Sequence, residues 1–195
     1  MSSTAIDGLS AAVKGRVVLQ GQEDYDEARA LFNAMIDKYP AAIAYCADEA
    51  DVAAAIEFAR DRGLRIAVRG GGHNGGGLGS VDDGLVIDLS AMNQITVDAA
   101  AKMARVGGGA LLKDVLEATD AHGLTLPVGI IGTTGVGGLT LGGGVGHMSR
   151  TFGLTIDNLV AATVVLADGS IVQCDATREP DLFWRSAAAA ATSAS

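Results

Sequence analysis

Along the chain, apolar positions fall first at helical spacing and then at strand spacing. Tyr25, Ala28, Leu31, Phe32, Met35, Ile36 and Tyr39 recur at steps of three and one, which predicts an amphipathic helix over Asp24–Tyr39. Asp24 stands at its N-cap, Glu27 completes a capping box, and Pro40 ends the run. Ala41–Cys46 is a short apolar run and predicts a strand. Asp48–Arg62 predicts a second helix, capped by Asp48, with Val52, Ala55, Ile56 and Ala59 inward and Gly63 just past its end. Leu64–Val68, Leu85–Leu89, Gln94–Val97 and Met103–Val106 read as strands. Ala110–Ala121 reads as a helix with Leu111, Leu112, Val115 and Leu116 on its apolar face. Leu159–Ala167 predicts a longer strand that turns at Asp168-Gly169 and returns over Ser170–Cys174. From Ser186 the chain is serine, alanine and threonine without an amphipathic pattern, and is expected to fray. Helices come early and then mix with strands without a regular βα repeat, so the expected fold class is α+β.

Between these elements lie two stretches that neither helix nor strand tolerates: Arg69-Gly-Gly-Gly-His-Asn-Gly-Gly-Gly-Leu-Gly79, and Gly129 to Gly146. The chain holds 27 glycines, about twice the ordinary share, and they concentrate here. A glycine loop after a strand exposes backbone N–H groups as an anion-binding nest, and two such loops suit a ligand with more than one phosphate. The bland alternative is a glycine-rich surface. Gly70, Gly72 and Gly75 have dinucleotide-fingerprint spacing, with Asp88 downstream. That fingerprint also needs a helix opening at the loop, and here a strand follows, so the Rossmann reading fails on context. His73 is the chemically notable residue, because glycines let its imidazole approach a bound cofactor as nucleophile or as acid and base. His122 sits at a helix end, in a structural role. His147 either lines a cleft or faces solvent. Their spacing with His73 does not suggest a metal site.

Charge narrows the classes further. The chain carries 14 Lys+Arg against 23 Asp+Glu, a net of −9, which disfavours nucleic acid as a partner. No apolar run reaches the roughly 18 residues of a membrane span, so no membrane partner is expected. Residues Met1–Asp7 have neither the basic nor the apolar part of a leader, and the reading is cytoplasmic. Cys46 and Cys174 lie far apart and read as two buried thiols. No Gly-x-Ser-x-Gly elbow occurs, and Asp82-Asp83 reads as a solvated turn.

Val68-Arg-Gly-Gly-Gly-His-Asn74 resembles the phosphate-binding loop of FAD-linked oxidases of the vanillyl-alcohol oxidase / p-cresol methylhydroxylase (PCMH) superfamily, in the berberine bridge enzyme-like and 6-hydroxy-D-nicotine oxidase-like branch. Further matches follow in the same order. They are Leu85–Ser90, Gly132-Thr-Thr-Gly-Val-Gly-Gly138, Gly142–Gly146, Ser149-Arg150, Gly153-Leu-Thr-Ile-Asp-Asn-Leu159, Ala167-Asp-Gly169 and Pro180-Asp-Leu-Phe-Trp184. The resemblance implies the two-subdomain PCMH-type FAD-binding fold, N-terminal part only, with the diphosphate between the two glycine loops. It places Arg69, Gly70, Gly71, Gly72, His73 and Asn74, together with Gly135, Val136, Gly137 and Gly138, around the diphosphate and flavin. Asp157, Asn158 and Leu159 would lie near the cofactor. His73 occupies the position of the histidine that bonds covalently to the flavin 8α-methyl. Some relatives carry a second, cysteinyl tether; the aligned position here is Ile131, so no second link is expected.

The resemblance also implies an organisation: an N-terminal segment 1–38, a FAD-binding domain over 39–184, and a low-complexity tail over 185–195. In the family, Asp-Leu-Phe-Trp leads into more glycine-rich chain and a substrate domain. Here Trp184 leads into the tail, and the substrate domain with its acid and base residues is expected to be absent. The implied function is the FAD-binding portion of an oxidase. Such an oxidase moves a hydride from a small organic substrate to flavin N5 and is reoxidised by O2. The alternatives are a flavin-binding fragment that is non-catalytic or needs a partner and, ranked last, a nicotinamide enzyme. With a mean hydropathy of +0.31, the chain is also expected to expose apolar surface and to aggregate readily.

Overall fold

A computed structural model of the chain describes residues 6–188. The elements run in the order α1 (Leu9–Ala12), β1 (Val17–Leu19), α2 (Tyr25–Arg29), β2 (Ala42–Tyr45), α3 (Glu49–Asp61), β3 (Ile66–Arg69), β4 (Leu85–Asp88), β5 (Ile95–Asp98), β6 (Met103–Val106), α4 (Leu112–Asp120), α5 (Val136–Leu141), α6 (Ser149–Phe152), β7 (Ala161–Val165), β8 (Ile171–Asp175) and α7 (Pro180–Ala188). The chain divides into two compact units, residues 6–92 with Val165–Ile171, and Asn93–Val164 with residues 172–188.

The first unit is built on a four-stranded sheet in the order β1-β2-β4-β3. β4 runs parallel to both β2 and β3, and β1 is antiparallel at the edge. The sheet is apolar on both faces, as expected of parallel strands covered on both sides. Ala42, Ala44, Leu85 and Ile87 meet Val52, Ala55, Phe58 and Ala59 of α3 in one core. The alternate residues Ile43, Val86, Ala67 and Val18 meet Tyr25 and Ala28 of α2 in another. α3 begins as expected, with the Asp48 carboxylate accepting from the Asp51 amide at 3.0 Å. Gly63 follows it with φ 63°. Residues 6–38 belong to this unit, with β1 pairing with β2 from Val17↔Ala44 to Leu19↔Ala42. Neither that strand nor α1 was evident from the apolar pattern.

The helix expected over Asp24–Tyr39 is corrected: it spans only Tyr25–Arg29, and Ala30 is already extended. Continuing the helix would pair the Phe32 amide with the Ala28 carbonyl. Both groups are taken elsewhere. Arg69 Nη2 donates to the Ala28 carbonyl at 2.7 Å, and the Phe32 amide donates to the Gly72 carbonyl at 3.3 Å. Tertiary hydrogen bonds therefore outcompete the local helix. Met35, expected inward, is 90% exposed.

In the second unit β5 and β6 form an antiparallel hairpin, from Ile95↔Val106 to Asp98↔Met103. α4 follows, burying Leu112, Val115 and Thr119, while Leu116 is only half-buried. The strand expected over Leu159–Ala167 is Ala161–Val165. It pairs with β8 across the Asp168-Gly169 turn, where Gly169 has φ 89°. The glycine-rich stretch 129–146 was expected as a loop throughout, yet contains the short helix α5. Of the tail expected over 185–195, Arg185–Ala188 form the end of α7. Its remainder, 189–195, lies outside the described residues. Among the described residues no helix is long and apolar enough to cross a membrane.

Candidate functional site

The glycine loop of the first unit starts where β3 ends. Side chains alternate along a strand, so Arg69 shares the α2 face with Ala67, and Asp88 shares it with Val86. The two are register partners. Arg69 Nε meets Asp88 Oδ2 at 2.5 Å, with the side chains 6% and 4% exposed. Ser90 donates its amide to Asp88 Oδ1 at 2.8 Å, and its hydroxyl binds the same oxygen. Two of the three guanidinium nitrogens are thus engaged inside the protein. The third, Nη1, is buried without a hydrogen-bond partner. Buried polar groups are normally paired, so this nitrogen beside the glycine loop is a donor that a water or a ligand oxygen can take up.

Beyond Arg69 the backbone is left available. The amides of Gly70, Gly71, Gly72 and Asn74 donate to no acceptor among the described residues. Gly72 has φ 70°, a conformation that favours glycine and turns the chain immediately before His73. Past His73 the Asn74 side chain fixes the loop, with its Oδ1 accepting from Gly76 at 3.0 Å and Leu78 at 3.1 Å. Successive unpaired amides beside a cation form a nest for an anion, which is the chemistry a diphosphate needs. No helix occurs between Arg69 and Leu85, which agrees with setting the Rossmann fingerprint aside.

The segment after α2 lies along this loop. Phe32 stacks on His73, the ring centroids 3.9 Å apart and the planes at 16°. Asn33 Nδ2 donates to the Gly75 carbonyl at 3.3 Å. Lys38 Nζ donates to Gly77 and Ser80 carbonyls at 2.8 and 2.9 Å. The segment is itself held by Arg29, whose guanidinium binds Asp37, donates to the Lys38 carbonyl and lies 4.1 Å from the Tyr39 ring centroid. Phe32 was missed in the sequence because its spacing read as part of one helix face, and Asn33 and Lys38 because they fell between the apolar positions of that face. The signal available was the polar Asn33 in mid-pattern.

The other predicted residues lie in the second unit. The chain before α5 is fixed against α4: Leu112 donates to the Thr134 carbonyl at 3.0 Å and Lys113 to Gly132 at 2.9 Å. The Val136 amide donates to Ala110 at 2.8 Å, whereas those of Gly137 and Gly138 have no acceptor among the described residues. A Cβ on Gly137 would meet the Gly108 carbonyl oxygen at 2.9 Å, so this backbone crossing admits only glycine comfortably. Thr155 ties the following glycine run to the chain before it, its amide donating to the Gly144 carbonyl at 3.0 Å and its hydroxyl to the Pro127 carbonyl at 2.6 Å. Asp157 and Asn158 are engaged in their own turn. Asp157 Oδ2 accepts from Leu154 at 2.8 Å, and Asn158 Nδ2 donates to Phe152 and Leu154, each at 2.9 Å. Leu159 is half-buried.

The remaining candidates have plain environments. His122 and His147 are exposed. Among the described residues no three His, Cys, Asp or Glu side chains gather as a metal site. Cys46 and Cys174 are free and buried. Burial first, then the nearby Asp51, Asp88 and Asp48 charges, pushes the Cys46 thiol up to about 12. Ile131, aligned with the second flavin tether of relatives, is half exposed.

The FAD binding domain family matches residues 40–175. (R)-6-hydroxynicotine oxidase of Paenarthrobacter nicotinovorans is 37% identical, over 94% of this chain and 40% of its own length. Glucooligosaccharide oxidase of Sarocladium strictum is 41% identical, over 92% of this chain and 36% of its own. Among solved structures, 6-hydroxy-D-nicotine oxidase from Arthrobacter nicotinovorans has a TM-score of 0.89 at 36% identity, covering 91% of this chain and 39% of that one. A glucooligosaccharide oxidase from Acremonium strictum, described with a 6-S-cysteinyl, 8α-N1-histidyl FAD, has a TM-score of 0.87 at 38% identity, covering 93% and 38%. The chain spans about two fifths of the length of these relatives. It belongs to the FAD binding domain family and has the PCMH-type fold of the 6-hydroxy-D-nicotine oxidase-like and berberine bridge enzyme-like FAD-linked oxidoreductases.

Proposed function

We propose that this chain binds FAD as the cofactor-binding portion of an oxidase, and that His73 carries a covalent bond to the flavin 8α-methyl. One observation carries the reading: four unpaired loop amides and the orphaned Arg69 Nη1 stand beside a histidine, a donor set that suits a diphosphate and leaves the imidazole near it. Arg69–Asn74, Gly135–Gly138 and Asp157–Leu159 are the proposed cofactor-binding residues. Arg69 acts through its free nitrogen and through the backbone it anchors, because its other nitrogens are engaged. Asp157 and Asn158 contribute mainly by shaping their turn. His73 is the single tether, since Ile131 supplies no thiol and both cysteines are buried.

FAD, when bound, supplies the two-electron acceptor. The proposed activity is hydride transfer from a small organic substrate to flavin N5, with return of the electrons to O2 as H2O2. The names of the relatives, 6-hydroxynicotine oxidase and glucooligosaccharide oxidase, support a small heterocycle or a sugar as the proposed substrate. A second reading, flavin binding without turnover by this chain alone, is favoured by its coverage of only about two fifths of those relatives. Intact mass after denaturation, on protein expressed with ample flavin, tests the binding claim. The expected result is an increment of one FAD that His73→Ala abolishes. A wild-type mass without the increment overturns the tether. Peroxide formation with candidate amines, alcohols and sugars separates the two readings.

A further inference from the structure

The geometry points to Phe32 as the residue that positions the His73 imidazole for flavin attachment. This rests on the reading of His73 as the tether. Phe32 is 68% exposed, so it is not there to fill a core. What it does contact is specific: its ring lies 3.9 Å from the His73 ring at an interplanar angle of 16°. The neighbouring backbone holds it there. The Phe32 amide donates to the Gly72 carbonyl, and the next residue, Asn33, donates to Gly75. These bonds grip the loop on both sides of His73. A Cβ on Gly72 would sit 3.6 Å from Leu31 Cδ2, so the residue before Phe32 also closes on the loop.

Three glycines lead into His73, and glycine backbone is the most freely mobile there is. Attachment needs one imidazole nitrogen held at bonding approach to one carbon, and losing that orientation costs rate. The bond joins an imidazole nitrogen to the 8α carbon. The imidazole N–H proton and one methyl hydrogen leave those atoms. The electron pair of the broken C–H bond passes to the isoalloxazine, and dioxygen removes two electrons and two protons as H2O2. Phe32 takes no part in these transfers. It restricts the imidazole to one plane beforehand, which makes it a positioning residue.

The test compares the full chain as wild type, Phe32→Tyr and Phe32→Leu. In the protein without flavin, NMR of the His73 ring protons should show upfield, ring-current-shifted resonances in wild type and Phe32→Tyr. Phe32→Leu should move them downfield. Incubation of flavin-free protein with FAD, followed by intact mass, should show attachment about 3- to 10-fold slower in Phe32→Leu, in keeping with loss of one aromatic pair. Phe32→Tyr should restore it, with non-covalent FAD uptake and the melting curve unchanged in both variants. Unshifted ring protons in wild type, or equal attachment rates in Phe32→Leu and wild type, overturn the role of Phe32. Upfield protons with no covalent FAD on wild type overturn the tether itself, and the positioning role with it.

Discussion

At the scale of single residues, the glycine loop depends on one buried ion pair and the second unit on one pinned turn. Arg69 and Asp88 are nearly inaccessible, and each is satisfied mainly by the other and by backbone groups, the Ala28 carbonyl for Arg69 and the Ser90 amide for Asp88. Removing one partner strands a buried charge. Asp88→Ala should therefore lower unfolding free energy by about 3–5 kcal/mol in urea titration, with flavin uptake falling in parallel. A loss under about 1 kcal/mol would mean the pair is solvated in the working protein. Gly144 has φ 78°, and a Cβ there would lie 2.2 Å from Thr155 Oγ1. Gly144→Ala combines backbone strain with overpacking and should cost about 2–3 kcal/mol by the same titration. The Cys46 thiol, pushed up to about 12 by burial, stays protonated when folded while the unfolded thiol ionises from near 9. Its contribution is therefore full below pH 9 and is lost as pH rises toward 12. In the native protein at pH 8, Cys46 should resist thiol reagents that label it rapidly in denaturant.

At the scale of elements, the segment after α2 behaves as a strap over the glycine loop, and Arg29 is its fastening. Arg29 binds Asp37 and, with the Tyr39 hydroxyl, holds that carboxyl below its ordinary value of 3.8. A carboxylate whose folded value is depressed stabilises above its unfolded value and loses this as pH falls through the folded one. The strap should accordingly loosen only in acid, below about pH 4. Amide exchange protection at Phe32 should drop between pH 6 and pH 3, and Asp37→Asn should show the low protection at both. Equal protection of the wild type at the two pH values would separate the strap from this ion pair. The effect is local, because Asp37 is exposed and solvent screens the pair.

At the scale of the molecule, stability is linked to the cofactor. FAD bound by the folded but not the unfolded chain should add about 2.7 kcal/mol at a hundredfold excess over Kd. A melting temperature that does not move with added FAD would argue against binding by this chain. Large apolar side chains also stand open among the described residues, Val145 73%, Trp184 71% and Ile130 63% exposed in the second unit. The expected consequence is self-association in sizing chromatography that grows with protein concentration.

Much was legible from one-dimensional pattern. Strand and helix periodicity located β2, α3, β4, β5, β6 and α4 to within a few residues, because each buries one face or both and the spacing records it. The collinear glycine motifs identified the family, since only glycine suits the crossing at Gly137 or the turn at Gly72. Other features depended on partners distant in sequence. The end of α2 is decided by Arg69 and Gly72, some 40 residues away, which take up the carbonyl and amide a continuing helix would use. The stack of Phe32 on His73 follows from that interruption. The diversion of Arg69 toward Asp88 follows from strand register. Local pattern determined which segments could be buried. Long-range hydrogen bonds, formed only when the sheet assembles, decided where each segment stopped and which side chain met the candidate histidine.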